Sequence, residues 1–220
     1  MLAKELLTDA IISLHTSDTG KHALKLMEDL KISHLPIVNN VEYLGLISEN
    51  DIYAQNDLKE SIGNHTLSLV KACVDQYQHI FEIMTLASEL NLSIIPVIDS
   101  NNRYLGAITL SDLLEAFSKK ASILNPGGIV IIECNENDYS LEQISHIVES
   151  NDAKILNCYV SSHIDSTKLE VTLKLNKMNV LNVLQAFERY NYTIVASFIE
   201  SDYTSDLQER YDSLMNYLNI

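Results

Sequence analysis

The chain has 220 residues, of which 46% are hydrophobic and 20% are charged, as is typical of a folded globular protein. Its formal net charge of −15 and its three arginines argue against a surface for nucleic acid or for an anionic membrane, because both need clustered Lys and Arg. The sequence has neither a run of about 18 apolar residues nor an N-terminal basic region followed by an apolar stretch, so it predicts no membrane span and no signal peptide.

The first sixty residues predict a helix, a short hairpin and a second helix. Residues 18–31 carry apolar side chains at helical spacing. Residues 34–38 and 43–47 are short apolar stretches separated by a polar turn, which is typical of an antiparallel hairpin. Ser48 then predicts the N-cap of the second helix.

The same order of elements recurs about sixty residues later in the chain. Residues 78–91 predict a helix, and residues 94–98 and 104–108 predict a hairpin that is followed by another helix. Two copies of one unit imply two half-domains packed about a pseudo-twofold axis, with clefts between them. We therefore predict one domain over residues 1–60 and another over residues 61–124.

The pattern changes at Pro126, where a proline and two glycines predict a domain boundary. The residues that follow predict the order strand, helix, strand, strand, helix, strand, which is the ferredoxin-like split arrangement. The predicted elements are residues 129–134, 140–150, 154–161, 168–175, 180–190 and 193–198. We predict a domain over residues 127–200 and an amphipathic helix over residues 201–220. The apolar positions of that helix are Leu207, Tyr211, Leu214, Met215 and Leu218. The predicted fold class is therefore α+β.

Each copy in the first half carries one short motif behind a strand that contains a proline. The motifs read Gly45-x-x-Ser48-x-x-Asp51 behind Pro36, and Gly106-x-x-Thr109-x-x-Asp112 behind Pro96. This duplicated pattern resembles paired CBS domains, the Bateman module, over residues 1–120. The C-terminal region resembles an ACT domain by its order of elements. The whole architecture resembles the acetoin-utilisation-type family, in which a CBS pair precedes an ACT domain.

The resemblance implies that the CBS pair binds an adenosine-containing ligand: AMP, ADP, ATP or S-adenosylmethionine. By position, the hydroxyls of Ser48 and Thr109 would contact phosphate, and the carboxylates of Asp51 and Asp112 would hold the ribose hydroxyls. A phosphate suits this place because the free N–H groups and the dipole of a helix favour an anion at its N-terminus.

The remaining motif residues would shape the cleft around the nucleoside. Gly45 and Gly106 would allow a close approach of the backbone, because glycine has no Cβ. The strands around Pro36 and Pro96 would flank the adenine.

The second motif is the better candidate for binding a phosphate. Glu49 directly follows Ser48 and adds a negative charge near any phosphate, at a cost of about 1–4 kcal/mol at surface-like dielectric. The second copy has Leu110 at this position, so we favour the site that uses Thr109 and Asp112. A divalent cation such as Mg²⁺ could offset the repulsion, which would favour ATP or ADP.

The C-terminal region departs from the ACT pattern at the positions that bind effectors. Effector-binding ACT domains often carry Asp-x-x-Gly after the first strand and a Gly after the first helix. Here residues 136–139 read Glu-Asn-Asp-Tyr, and Asp152 stands at the second place. We therefore expect this domain to pack against another copy rather than to bind an amino acid.

Two other interpretations remain open at this point. The motif hydroxyls and carboxylates could be helix caps only, in a ligand-free scaffold for oligomerisation. The chain could also be an unrecognised nucleotide-dependent enzyme, although it shows no catalytic, Walker or metal-binding motif. We predict a non-enzymatic regulatory protein that forms a homodimer or a higher oligomer and controls an unidentified protein target. Three widely spaced cysteines indicate a reducing compartment, the cytoplasm.

Overall fold

The structure is a computed structural model, and it describes residues 1–8, 11–55, 57–64, 71–162 and 167–198. The chain forms two compact units, Met1–Phe117 and Ser118–Ile220. The first unit contains α1 (Gly20–Leu30), β1 (His34–Asn39), β2 (Glu42–Ser48), α2 (Glu49–Tyr53), β3 (Val74–Asp75), α3 (Ile80–Glu89), β4 (Ile94–Ile98), β5 (Tyr104–Thr109) and most of α4 (Leu110–Lys120). The helix predicted over residues 201–220 lies outside the described residues.

The two predicted hairpins are present, and they share the same irregularity. In β1–β2 the register shifts beside the pair Ile37 and Gly45, and in β4–β5 it shifts beside the pair Val97 and Gly106. The two glycines have φ angles of 153° and 146°, a conformation that residues with a Cβ rarely adopt. Both motif glycines are therefore required by the bulge of their own hairpin.

Each repeat is completed by a short 3₁₀ turn that comes from the sequence of the other repeat. The turn Ala3–Glu5 lies on the second repeat, where the Ala3 N–H donates to the Gln78 carbonyl at 3.0 Å. The turn Ile62–Asn64 lies on the first repeat, where the Ile62 N–H donates to the Asp18 carbonyl at 2.7 Å. Ile62 is fully buried in the core of the first repeat, although the predicted division at residue 60 assigns it to the second domain.

Two tyrosines meet where the repeats join. The Tyr43 N–H donates to the Asn102 carbonyl, and the Tyr104 N–H donates to the Val41 carbonyl. The rings stack with centroids 6.3 Å apart. The Tyr43 hydroxyl donates to the Ala72 carbonyl at 2.8 Å, whereas the buried Tyr104 hydroxyl has no hydrogen-bond partner among the described residues. The seam is therefore symmetric in its backbone but not in its side chains.

The second unit has the predicted order of strands and helices. Its elements are β6 (Ile129–Asn135), α5 (Leu141–Glu149), β7 (Ile155–Ser162), β8 (Lys168–Leu175), α6 (Leu181–Arg189) and β9 (Thr193–Phe198). The strands form one antiparallel sheet in the order β7-β8-β6-β9. Ile147 of α5 and Phe187 of α6 share one buried core with strands β6 and β8. Gly127 precedes the sheet, and a Cβ there would lie 1.8 Å from the Leu175 carbonyl oxygen, so only glycine fits.

Candidate functional site

The first motif forms a complete capping box at the start of α2. The Asp51 N–H donates to the Ser48 Oγ at 3.1 Å, and the Ser48 N–H and hydroxyl both donate to the Asp51 carboxylate, at 2.9 and 2.6 Å. Each polar group of the motif thus satisfies another one, as capping residues do. Helix α2 has only five residues, so its dipole is short.

The second motif has the same hydroxyl–carboxylate pair at the start of a longer helix. The Thr109 hydroxyl donates to the Asp112 carboxylate at 2.7 Å, and the Asp112 N–H donates to the Thr109 Oγ1 at 3.0 Å. Helix α4 has eleven residues, and its first turn carries the acidic residue Asp112 alone. The structure therefore brings Thr109 and Asp112 together, as it does Ser48 and Asp51.

The first backbone N–H of each helix points to a serine carbonyl that precedes the hairpin of the same repeat. The Glu49 N–H donates to the Ser33 carbonyl at 2.9 Å, whereas the Leu110 N–H is 3.5 Å from the Ser93 carbonyl. The second contact is at the upper limit of a hydrogen bond. The N-terminus of α4 is therefore the less satisfied of the two.

The N-terminal segment forms a wall beside the second motif, which the sequence did not predict. The Thr8 N–H donates to the Ala107 carbonyl at 3.1 Å, and a Cβ on Gly106 would lie 3.1 Å from a methyl group of Leu7. The group that comes close to the backbone of Gly106 is thus a side chain of the protein itself, that of Leu7. No local sequence pattern predicts this contact, because Leu7 and Gly106 are almost a hundred residues apart.

The two prolines of the motif strands lie inside the hairpins. Pro36 pairs with Leu46 and Pro96 pairs with Ala107, and both prolines are buried. The carbonyl of Pro36 accepts the Leu14 N–H at 2.8 Å. These residues pair with strands β2 and β5, on which the motifs begin.

A polar cluster ties the two repeats together next to the first motif. The Ser33 N–H donates to the Ser93 Oγ at 3.0 Å, and the Ser93 N–H donates to the His34 Nδ1 at 3.3 Å. Since an amide can only donate, the His34 Nδ1 is an acceptor and the neutral ring carries its proton on Nε2. Burial lowers the pKa of His34, and the nearby Asp51 carboxylate partly opposes that shift.

The contact of His34 with a serine is also the geometry of a base beside a nucleophile. The Nδ1 atom lies 3.1 Å from the hydroxyls of both Ser33 and Ser93, in addition to the Ser93 N–H. Three groups therefore share one ring nitrogen, which describes a structural tie between repeats rather than an activated hydroxyl. The serines recur sixty residues apart, and that recurrence was the sequence signal for this cluster.

The second unit has a polar cleft of about 490 Å³ at the end of β6. Lys168 forms an ion pair with Glu133, and the Asn135 amide donates to the Asp138 carboxylate at 2.9 Å. Asp152 has a left-handed backbone with φ 55°, and it lies in the turn that follows α5. The polar groups named here are thus engaged with one another.

Among the described residues, no group of three or more His, Cys, Asp or Glu side chains is placed to hold a metal ion. None of the described helices has both the length and the apolar character that crossing a membrane requires.

Comparison with known proteins places the duplicated half in a family. The CBS domain model matches residues 3–55 and 70–119, so the chain contains a tandem pair of CBS domains. Inosine-5'-monophosphate dehydrogenase of Methanocaldococcus jannaschii is 25% identical over 158 residues, which are 71% of this chain and 32% of that enzyme. A CBS domain-containing protein of Dictyostelium discoideum is 25% identical over 134 residues, which cover 54% of this chain and 92% of that protein.

Among solved structures, a CBS domain pair/ACT domain protein from Thermotoga maritima is 25% identical with a TM-score of 0.49. The alignment covers 54% of this chain and 98% of that one. Of the dehydrogenase from Methanocaldococcus jannaschii, by contrast, the chain spans only about a third of the length.

Proposed function

We propose that this tandem CBS-domain chain is a regulatory protein that binds an adenine nucleotide, AMP, ADP or ATP, at its second motif. The observation that carries the proposal is the pair of Thr109 and Asp112, 2.7 Å apart at the N-terminus of the eleven-residue helix α4. A carboxylate can accept hydrogen bonds from both hydroxyls of a ribose, and the helix dipole favours a phosphate at the N-terminus of α4.

The second motif is preferred over the first for three reasons. Its helix is longer than α2, its first N–H is less well satisfied, and it has Leu110 where the first motif has Glu49. Each difference lowers the cost of bringing an anion to the helix N-terminus. The wall formed by Leu7 and Thr8 gives the nucleoside an apolar and backbone-lined side.

Binding would act by shifting populations between two arrangements of the repeats. The motif of the second repeat lies against the N-terminal segment, and the cluster of Ser33 and Ser93 joins the two repeats. A ligand changes such an equilibrium only through its different affinities for the two arrangements. We infer a role for Mg²⁺ only as a partner of the nucleotide phosphates, because the described residues form no metal cluster of their own.

We propose that the second unit is an ACT-like domain and that it contributes to a homodimer or a higher oligomer in the cytoplasm. Its order of elements and its antiparallel sheet support the first point. The mutual pairing of polar groups around Glu133 and Asp138 supports packing as its role rather than amino-acid binding.

The test is thermal unfolding with AMP, ADP and ATP, each with and without Mg²⁺, on the wild type, Asp112→Ala and Asp51→Ala. The two variants are matched, because each removes the carboxylate of one capping pair. A ligand at a hundred times its Kd stabilises the fold by about 2.7 kcal/mol, a rise in Tm of roughly 5–10 °C. We expect this rise in the wild type and in Asp51→Ala, and its loss in Asp112→Ala.

Three other results would contradict the proposal. An unchanged Tm with every nucleotide would favour the ligand-free scaffold. In that scaffold the hydroxyl–carboxylate hydrogen bonds of both motifs serve only as helix caps. A rise that is lost only in Asp51→Ala would assign the site to the first motif. Turnover of ATP that is abolished in Asp112→Ala would show an enzyme.

A further inference from the structure

The sheet of the second unit has one face turned away from helices α5 and α6. These helices pack on the side to which Val130 and Ile132 of β6 point, because both residues lie in the buried core that the helices share. Successive side chains of a strand point to opposite sides, so Ile129, Ile131 and Glu133 point away from the helices. We call the side to which they point the open face.

The pairing of the four strands defines the middle row of the open face. Thr172 pairs with Ile131 on one side and with Tyr159 on the other, and Ile131 also pairs with Ala196. This row therefore crosses the whole sheet, and it contains no charged side chain. In the neighbouring row, Phe198 of β9 pairs with a residue of β6 that also points to the open face.

The centre of the open face is shielded, whereas its edges are exposed. Thr172 is only 8% exposed, but Tyr159 on the edge strand β7 is 58% exposed and Phe198 on the edge strand β9 is 57% exposed. With neighbouring strands about 4.8 Å apart, the two edge strands of this four-stranded sheet lie about 14 Å apart. An α-helix with its side chains is about 10–12 Å wide. The two rings therefore border a groove with the width of one helix.

The sequence that follows β9 contains a segment that fits this groove. Within the helix predicted there, residues 205–219 carry the five apolar positions from Leu207 to Leu218, which form one stripe. A helix over these residues would be about 22 Å long, which matches the length of the seven-residue strand β6, about 23 Å. A helix this short is marginal by itself in water, so its apolar stripe requires a surface to cover.

We propose that residues 205–219 form a helix that docks in the groove of the open face of the same chain. The apolar stripe would cover Thr172 and Ile131 between the rings of Tyr159 and Phe198. Because Phe198 is the last residue of β9, the chain leaves the sheet at the border of the groove. Residues 199–204 can span about 20 Å, which is enough to reach the groove.

The short connection favours the chain's own segment over the segment of a second copy. A short flexible linker gives the tethered segment an effective concentration on the order of millimolar beside the groove. This inference goes beyond the nucleotide proposal, because it concerns the second unit alone and its test is done without a ligand.

The test is hydroxyl-radical footprinting of the full chain by mass spectrometry, for the wild type, Leu214→Asp and Ser213→Asp. The two variants add the same charge at adjacent positions, but only Leu214 belongs to the apolar stripe. We expect the oxidation of Tyr159 and Phe198 to rise severalfold in Leu214→Asp and to stay unchanged in Ser213→Asp, because a charge in the groove would undock the helix. Phe187 is fully buried, and its continued protection would show that each variant is folded.

The reciprocal test changes the sheet and measures the segment. Tyr159→Asp and Tyr190→Asp add the same charge at tyrosines that are 58% and 47% exposed, but Tyr190 lies at the end of α6, away from the open face. Methionine is oxidised readily where it is accessible to solvent. We therefore expect hydrogen peroxide to oxidise Met215 severalfold faster in Tyr159→Asp than in the wild type, and no change in Tyr190→Asp.

Each remaining result overturns the proposal. Equal oxidation of Tyr159 in the wild type and in Leu214→Asp would show that the segment does not cover the open face. A rise of the same size in Ser213→Asp would show that the apolar stripe does not make the contact. Docking within one chain does not depend on concentration, so protection that is lost on dilution from about 50 µM to about 1 µM would show that a second copy covers the face.

Discussion

Replacement of Ile62 by alanine tests whether the repeats exchange their 3₁₀ turns. Ile62 is fully buried in the core of the first repeat, among residues that include Leu14, Ile47 and Ile52. Truncation of a buried isoleucine to alanine costs about 2–5 kcal/mol, through lost burial and the cavity that remains. For a chain of this size we expect Tm to fall by roughly 4–20 °C, at about 2–4 °C per kcal/mol.

The location of the effect is more informative than its size. Hydrogen exchange followed by mass spectrometry should show the loss of protection in β1 and β2, not in β4 and β5, because Ile62 packs against the first repeat. Ile12→Ala is the control, since that side chain is 58% exposed and its loss should change stability by less than about 0.5 kcal/mol. Loss of protection confined to β4 and β5, or a cost no larger than that of Ile12→Ala, would refute the exchange.

Two further predictions concern polar groups at the junction of the repeats. Tyr43→Phe leaves the buried Ala72 carbonyl without its donor and should destabilise the chain by about 1–3 kcal/mol, whereas Tyr104→Phe should be neutral or stabilising, because the Tyr104 hydroxyl is buried without a partner among the described residues. Urea unfolding of the pair checks this, and equal losses would contradict it. Because burial lowers the pKa of His34 below its unfolded value of about 6.5, its contribution to stability is present above that pH and is lost as the pH falls through the folded pKa. The Tm difference between wild type and His34→Gln should therefore be smaller at pH 5.5 than at pH 7.5, and a constant difference would rule this out.

Local sequence patterns were sufficient to predict the helices and strands. They did not predict that each repeat is completed by a 3₁₀ turn from the sequence of the other repeat. The hairpin strands predicted at residues 34–38 and 43–47 are found as His34–Asn39 and Glu42–Ser48. Such elements follow from apolar stretches and turn residues that lie next to each other in the chain. The positions of Ala3 and Ile62 depend on contacts with residues far away in sequence, for which no local pattern exists.

The candidate site was predictable in its paired residues and not in its surroundings. The spacing of Thr109 and Asp112 is that of a capping pair, so their contact followed from helix geometry alone. The wall made by Leu7 had no such signal. The roles of the motif glycines could be predicted only in part. A sequence shows that a Cβ is absent, but it does not show whether a ligand, a bulge or another side chain requires the space.

The duplication lets each difference between the repeats be judged against a copy that has the same fold. Interior positions such as Ile52 and Leu113 keep their character, since packing constrains both copies alike. The difference between Glu49 and Leu110, which occupy equivalent positions, is not required by packing. Glu49 is compatible with the same turn from strand to helix. That one difference removes a negative charge from the place proposed for a phosphate, so the preference for the second motif rests on a comparison internal to the chain.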